Sequence, residues 1–262
     1  MSASSPPLAP ARKRTLTEDV TERLREAILR SHFAPGQHLS EELLARTLAV
    51  SRGPIREALL QLEREGLVLS QANGRTIVAR LSRKDLDEVY SLRLALERVA
   101  VEYAIHNAQE QDFAGLQAMV DSMEQAAARG MSEQEAADLD IGFHDLLYQA
   151  AHHDRLNDVW ANLRSQVYVF LLSRNVANPD FREQIMVRGH AEIVDALRRR
   201  DTERAIEQIE AHLRAAYERI VKNYPPDDDA HAPEPSLTSL VEHPRSRARS
   251  YGPSPKNRGR KR

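Results

Sequence analysis

The spacing of apolar residues changes along the chain, and this change constrains the fold more than any other feature. Up to Gly66 the apolar residues recur every three to four positions in three short segments, which is typical of amphipathic helices. Two strand-like segments follow at 67–69 and 76–79, and the pair Asn73-Gly74 between them predicts a type I′ hairpin. Three short helices followed by a hairpin predict a winged helix-turn-helix, which we expect to occupy residues 15–81.

A helical pattern continues after the hairpin. Ser82 and Asp85 have the spacing of a capping box that opens the first of these helices. That helix is predicted to end near Asn107, and further helices are predicted over about 109–129, 132–151, 154–174, 180–200 and 202–223. The short connections favour an all-α antiparallel bundle of about six helices over 82–224. Residues 1–14 and the basic tail 225–262 are rich in Ser, Pro and Arg, and we expect them to be disordered. The predicted fold class is therefore mainly α.

Composition and charge narrow the possible functions. The chain has no cysteine, which excludes disulfides, thiolate metal sites and cysteine nucleophiles. No stretch reaches the roughly 20 apolar residues of a membrane span, and with no secretory signal we expect a cytoplasmic protein without a membrane partner. Residues 12–84 contain 14 Lys/Arg and 9 Asp/Glu, whereas residues 85–224 contain 15 and 25. A basic module joined to an acidic one is typical of a nucleic-acid-binding protein with a separate regulatory domain.

The third predicted helix supplies candidate DNA-binding residues. In a helix-turn-helix the second helix of the motif enters the major groove, and here it begins with Ser51, Arg52 and Arg56. The two arginines lie four residues apart, opposite the apolar stripe, and a guanidinium can contact guanine bidentately. Ser51 and the first backbone N–H groups suit a phosphate. The alternative is that both arginines are surface charges, with Arg56 paired to a nearby Glu. The wing adds three candidates, Asn73, Gly74 and Arg75.

Three histidines and one aspartate lie on apolar helix stripes in the second half of the chain. Asp140 and His144 are four residues apart on one predicted helix, and His190 and His212 lie on two others. A carboxylate that faces a core requires a strong partner, and Asp140 with three imidazoles would form a divalent-metal site. Zinc is the first choice of metal, with nickel and manganese as alternatives. The other interpretation is that each histidine is a hydrogen-bonded core residue.

Arg93 also falls on an apolar helix face. It either forms an i,i+4 ion pair with Glu97 or binds the carboxylate of a ligand inside the bundle. Arg174 and Asn175, at a predicted helix end, are further candidates for the same pocket.

Several of these motifs resemble those of a known family. The sequences Pro-Gly-Gln-His-Leu-Ser-Glu at 35–41 and Val-Ser-Arg-Gly-Pro-Ile-Arg-Glu-Ala-Leu at 50–59 resemble the GntR family of bacterial transcription regulators. Leu92-Arg93 with Glu97, and Asp-Ile-Gly-Phe-His at 140–144, resemble its FadR-type subgroup, whose carboxy-terminal part is a helical ligand-binding (FCD) domain. The resemblance covers about residues 17–223.

The resemblance carries implications for the site residues. Many FCD domains have an Asp-x-x-x-His pair and two later histidines, which match Asp140, His144, His190 and His212, and an arginine at the position of Arg93 binds effector carboxylates in some relatives. The chain departs from the family in two places. Glu42 occupies a position where some relatives have a DNA-contacting arginine, and the wing reads Asn-Gly-Arg where many relatives have Asn, a basic residue and Gly.

Together these features lead us to expect a homodimeric repressor that binds a palindromic double-stranded DNA operator and responds to a small carboxylate metabolite at a metal-containing pocket. One alternative is a metal-dependent hydrolase or lyase with a DNA-binding domain, although the pattern offers no further carboxylate beside the metal ligands to act as a general base. The other alternative is a regulator for which the metal itself is the signal.

Overall fold

The computed structural model describes residues 15–177 and 186–224, without the side chains of 174–177 and 223. The amino-terminal part consists of three helices and a two-stranded antiparallel sheet: α1 (Leu16–Leu29), α2 (Glu41–Thr47), α3 (Arg52–Arg64), β1 (Val68–Ser70) and β2 (Thr76–Val78). The remainder is helical: α4 (Arg83–Asn107), α5 (Glu110–Ala128), α6 (Glu133–Ala150), α7 (Asp154–Ala177), α8 (Met186–Arg198) and α9 (Thr202–Ile220), followed by a 3₁₀ turn, Val221–Asn223. The mainly α fold is thus confirmed. The two segments predicted to be disordered, and the predicted start of a helix at 180, lie outside the described residues.

Capping residues explain why several helices begin where they do. Ser82 Oγ accepts a hydrogen bond from Asp85 N at 3.2 Å, and Asp85 Oδ2 accepts one from Ser82 N at 2.7 Å, which is the predicted capping box. Thr15 and Glu18 form the same arrangement at the start of α1. Ser40 caps α2 by accepting from Leu43 N.

The hairpin is present, but the predicted type I′ turn is wrong. Strand residues pair in the register Val68 with Val78, and the turn is closed by hydrogen bonds from Gln71 N to Arg75 O and from Gly74 N to Gln71 O, both 2.8 Å. A type I′ turn at Asn73-Gly74 would need positive φ at both residues, whereas only Gly74 has one, at 77°. The loop is therefore one residue longer, a tight turn followed by a left-handed glycine.

Two apolar clusters form the core. In the amino-terminal part, Val20 and Leu24 of α1 pack with Ile55 and Leu62 of α3. The larger cluster lies inside the bundle, with α6 well buried within it. Helix α7 contacts both clusters, because Val167 and Leu171 pack in the bundle while Val169 packs against the amino-terminal cluster. Among residues 15–177 and 186–224, no helix is both long and apolar enough to cross a membrane.

Candidate functional site

The amino-terminal end of α3 forms an exposed polar surface. Ser51 is the N-cap residue, with an extended backbone, and its hydroxyl makes no capping hydrogen bond. The side chains of Arg52 and Arg56 are 55% and 62% exposed, while Ile55 between them is fully buried. The buried stripe therefore fixes α3 in the domain and turns both guanidinium groups outward. The first-turn N–H groups of a helix have no partner within the helix, so this end can also bind an anion.

Both arginines are paired with acidic residues of α2. Arg52 Nη2 lies 3.2 Å from Glu42 Oε2, and Arg56 Nε donates to Glu41 Oε2 at 2.7 Å. Both arginines therefore form surface ion pairs, which is the alternative interpretation of these residues. Exposed pairs of this kind contribute only about 0–1 kcal/mol, so a phosphate or a base edge can replace them at little cost. Glu42, the residue that departs from the family pattern, is the partner of Arg52.

The three wing candidates are all exposed. Asn73 Oδ1 accepts a hydrogen bond from Arg75 N at 3.0 Å, so the Asn73 side chain stabilises the loop itself. The positive φ of Gly74 disfavours any residue with a side chain there, although the space around it is open. Of the three wing candidates, Arg75 is therefore the one whose charged side chain can contact a binding partner.

The four predicted metal ligands come together inside the bundle. Asp140 and His144 lie one turn apart on α6, His190 lies on α8 and His212 on α9. Each offers one ligand atom, and these atoms all lie within 4.8 Å of one another. Asp140, His144 and His190 are fully buried and His212 is 9% exposed. Three imidazoles and a carboxylate in so small a volume are a donor set that can hold a divalent ion. We call these four residues the metal quartet.

Two rings of the quartet have a close polar contact at Nδ1. His144 Nδ1 lies 2.8 Å from Glu97 Oε2, and His144 Nε2 lies 3.5 Å from Asp140 Oδ1. His190 Nδ1 lies 2.8 Å from the carbonyl oxygen of Met186. When Nδ1 donates to such an acceptor, the lone pair of the neutral ring is on Nε2, which is how metal-binding histidines are held.

His212 is held as a neutral ring. Burial lowers its pKa well below the usual value, and the nearby His190, His144 and Arg93 lower it further, against an opposing effect of Asp140. A metal binds the neutral imidazole, so this environment favours coordination. The ring also packs closely on Gly189, where an added Cβ would lie 2.8 Å from His212 Nδ1. Gly189 is therefore required for the approach of α9 to α8, a role that the sequence pattern does not indicate.

Glu97 connects Arg93 to the quartet. Arg93 Nε donates to Glu97 Oε1 at 2.5 Å, which confirms the i,i+4 ion pair, and the two residues are 6% and 0% exposed. Burial raises the pKa of Glu97, but the charge of Arg93 and the contact with His144 outweigh burial and leave the pKa below its usual value. Arg93 Nη2 makes no hydrogen bond within the described residues.

The expectation that no other carboxylate lies beside the metal ligands was wrong, because Glu97 lies there. Its ion pair with Arg93 and its lowered pKa make it a weak base, and it contacts the side of His144 away from Asp140. Its pairing with Arg93 is visible in the sequence, whereas its contact with α6 depends on the tertiary fold. Of the other effector-site candidates, Arg174 and Asn175 lie in the last turns of α7, and their side chains are outside the described residues.

Comparisons with known proteins agree with this architecture. Residues 16–78 match the family described as bacterial regulatory proteins, gntR family, and residues 88–215 match the FCD domain. The HTH-type transcriptional regulator YdhC of Bacillus subtilis is 30% identical over 190 residues, which cover 72% of this chain and 84% of YdhC. The transcriptional repressor NanR of Cronobacter sakazakii is 28% identical over 231 residues, covering 79% of this chain and 86% of NanR.

A solved structure, McbR/YncC of E. coli, shares the fold with a TM-score of 0.70 at 23% identity, covering 80% of this chain and 99% of that one. The matched families and relatives are transcription regulators, so the hydrolase or lyase alternative is set aside. With a helix-turn-helix that presents exposed arginines and a helical domain that matches FCD, the chain belongs to the GntR family of bacterial transcription regulators.

Proposed function

We propose that the chain is a homodimeric repressor whose operator binding is controlled by a small carboxylate bound at a metal ion in the metal quartet. This proposal rests on one observation: four ligand atoms from three helices converge in a domain that is joined to the exposed helix α3. In this proposal residues 15–81 are the DNA-binding domain and residues 82–224 the effector-binding and dimerisation domain, and the protein acts in the cytoplasm, where the DNA is. The repressor assignment is supported by NanR, which is named as a repressor.

The DNA-binding roles follow from the surface of α3. Arg52 and Arg56 contact base edges in the major groove, and Ser51 with the first-turn N–H groups binds a phosphate. The wing, Asn73 to Arg75, reaches the adjacent backbone or minor groove. The exposure of both arginines and the weakness of their pairs with α2 support this assignment.

A second copy of the chain is the proposed partner of α4. Leu92 and Tyr103 of this helix are 47% and 44% exposed, and the half-buried Leu96 and Val99 lie on the same face between them. An apolar stripe of this length is typical of an interaction surface. A second copy is the fitting occupant, because reading a palindrome requires two recognition helices related by two-fold symmetry.

The metal quartet would hold a divalent ion, for which zinc is our first choice. Three imidazoles and one carboxylate match the ligands that zinc prefers, and nickel and manganese are the alternatives. When bound, the ion supplies a Lewis-acidic position for an oxygen of an anionic ligand. Arg93 would bind the other oxygen through Nη2, and Arg174 and Asn175 are proposed as further ligand contacts.

The alternative in which the metal alone is the signal is favoured by one observation. The ion would tie α6, α8 and α9 together, so its binding could by itself alter the bundle. The two proposals differ in what must be present before operator affinity changes.

Fluorescence anisotropy with an operator selected from random DNA tests the proposal. We expect chelated protein and zinc-loaded protein to bind the operator similarly, and we expect zinc with a small carboxylate to change the affinity. Acetate, butyrate and succinate are the probes. A change caused by zinc alone would favour the alternative, and no change under any condition would contradict both.

A further inference from the structure

We propose that the effector is a monocarboxylate with a hydrocarbon chain, and that this chain lies in an apolar cavity between α4, α7 and α9. The inference rests on the proposed function, because the carboxylate group is placed at the metal quartet and Arg93. It adds the chemical class of the ligand and a second subsite.

The cavity is built almost entirely from hydrocarbon side chains. Leu86 and Val89 of α4, Phe170 and Leu171 of α7, and Leu213 and Ile220 of α9 line it. Its volume of about 30 Å³ is enough for about two carbon atoms of an aliphatic chain, because one water-sized group needs roughly 10–15 Å³. Ligand sites are commonly apolar with a few polar groups that fix orientation.

Arg93 is the charged group that lines this cavity. Its side chain is buried, its Nε is bonded to Glu97, and its Nη2 has no hydrogen-bond partner among the described residues. A buried guanidinium donor without a partner is costly, and a carboxylate is the group that satisfies it best. The apolar lining and this unused donor therefore call for a ligand with an anionic head and an apolar tail.

The cavity and the metal quartet share two helices. Helix α9 carries His212 in the quartet, and its next residue Leu213 lines the cavity. On α4, Arg93 lines the cavity and donates a hydrogen bond to Glu97, whose Oε2 lies 2.8 Å from His144 Nδ1 in the quartet. A ligand whose carboxylate lies between the ion and Arg93 can thus extend its chain along α4 and α9.

The buried charges favour a monoanion over a dianion. Arg93, Glu97 and Asp140 give the metal-free site a net charge of −1, and a divalent ion with three neutral histidines changes this to +1. One carboxylate then neutralises the site. A second carboxylate placed in the cavity would be desolvated among mainly hydrocarbon side chains, because Arg93 is already bound to the first carboxylate.

Calorimetric titration of zinc-loaded protein with acetate, butyrate and succinate tests the inference. Each methylene transferred from water into an apolar site strengthens binding roughly fourfold, so butyrate is expected to bind about fifteenfold more tightly than acetate. Succinate, of the same length as butyrate, is expected to bind more weakly than acetate. Equal affinities for acetate and butyrate, or tightest binding of succinate, would overturn the inference but leave the carboxylate site intact. Binding of none of the three would overturn the proposed effector function as well.

Variants that fill the cavity supply the second arm. Ala216 lines it, and Ala216→Val is expected to reduce butyrate affinity to that of acetate while acetate affinity and zinc content stay unchanged. Val89→Leu fills the same space from α4. It replaces Ala216→Val in the test if a thermal melt shows that Ala216→Val is misfolded. Ala211→Val, at an exposed position of α9, is the matched control and should retain the preference. An unchanged butyrate preference in a folded cavity variant contradicts the proposal.

Discussion

The buried carboxylate of Glu65 connects the amino-terminal helices to the helical bundle, and its removal should destabilise the whole protein. Glu65, at the end of α3, is 2% exposed and accepts hydrogen bonds from Arg25 Nε at 2.7 Å and Nη2 at 2.6 Å. It also accepts one from Ser165 Oγ on α7 at 3.0 Å. Helices from both parts of the chain therefore converge on one ionised side chain.

The size of the effect follows from what Glu65→Ala leaves behind. Removing one partner of a buried ion pair costs about 3–5 kcal/mol. Arg25 keeps its contact with Glu22 at 2.5 Å and its side chain is 19% exposed, so we expect the lower end of that range. The free energy of unfolding should fall by about 3 kcal/mol in Glu65→Ala. Urea denaturation at pH 7 measures this, and Glu57→Ala, an exposed position of the same helix, is the control.

The pH dependence of stability is a second test of the role of Glu65. Burial raises the pKa of Glu65, but the bonds from Arg25, Gln61 and Ser165 outweigh burial, so the folded-state pKa is below its usual value. Its contribution to stability is then full above the unfolded-state pKa of about 4.3 and is lost as the pH falls through the lower folded-state pKa. The stability difference between the natural protein and Glu65→Gln should therefore shrink in acid. A loss below about 1 kcal/mol for Glu65→Ala at pH 7, or a pH-independent difference, would refute this reasoning.

Three further predictions concern separate parts of the chain. Arg52→Ala and Arg56→Ala should each reduce operator discrimination by about 1–3 kcal/mol in competition with random DNA, with an unchanged melting temperature. Retained discrimination would mean that α3 is not the helix that contacts the base edges. Gly189→Ala should lower zinc affinity about 10–100-fold, because the new Cβ displaces the imidazole on α9. Gly115→Ala should not lower it, because the new Cβ would make only an ordinary contact with Leu146 at 4.0 Å, and equal zinc affinities of the two variants would contradict this. Deleting 225–262 should leave the melting temperature and zinc content unchanged, and a lower melting temperature would show that this segment packs on the body.

The sequence predicts the elements well where local chemistry decides them. The capping box at Ser82 and the helix that follows are confirmed because both partners lie within one turn. The hairpin is also confirmed, but its turn type is not. The Asn-Gly pair specifies only that a glycine takes positive φ, and hydrogen bonds of Gln71 with Gly74 and Arg75 set the loop length.

The candidate site is predictable to the extent that helix faces are. Asp140 and the three histidines each lie on an apolar stripe, so their burial follows from periodicity. Which helices are neighbours does not follow from periodicity. For that reason the contact of Glu97 with His144, and the closeness of Gly189 to His212, are visible only in the folded chain.

Carboxylate binding that requires metal is the central claim, and one calorimetric measurement tests it directly. Acetate is titrated into purified protein of known zinc content, into the same protein after chelation, and again after zinc is restored. We expect one bound ion per chain, loss of acetate binding on chelation and recovery with zinc, with the melting temperature rising as free zinc increases. Undiminished acetate affinity in the stripped protein, or stoichiometric zinc in His212→Ala, would contradict it.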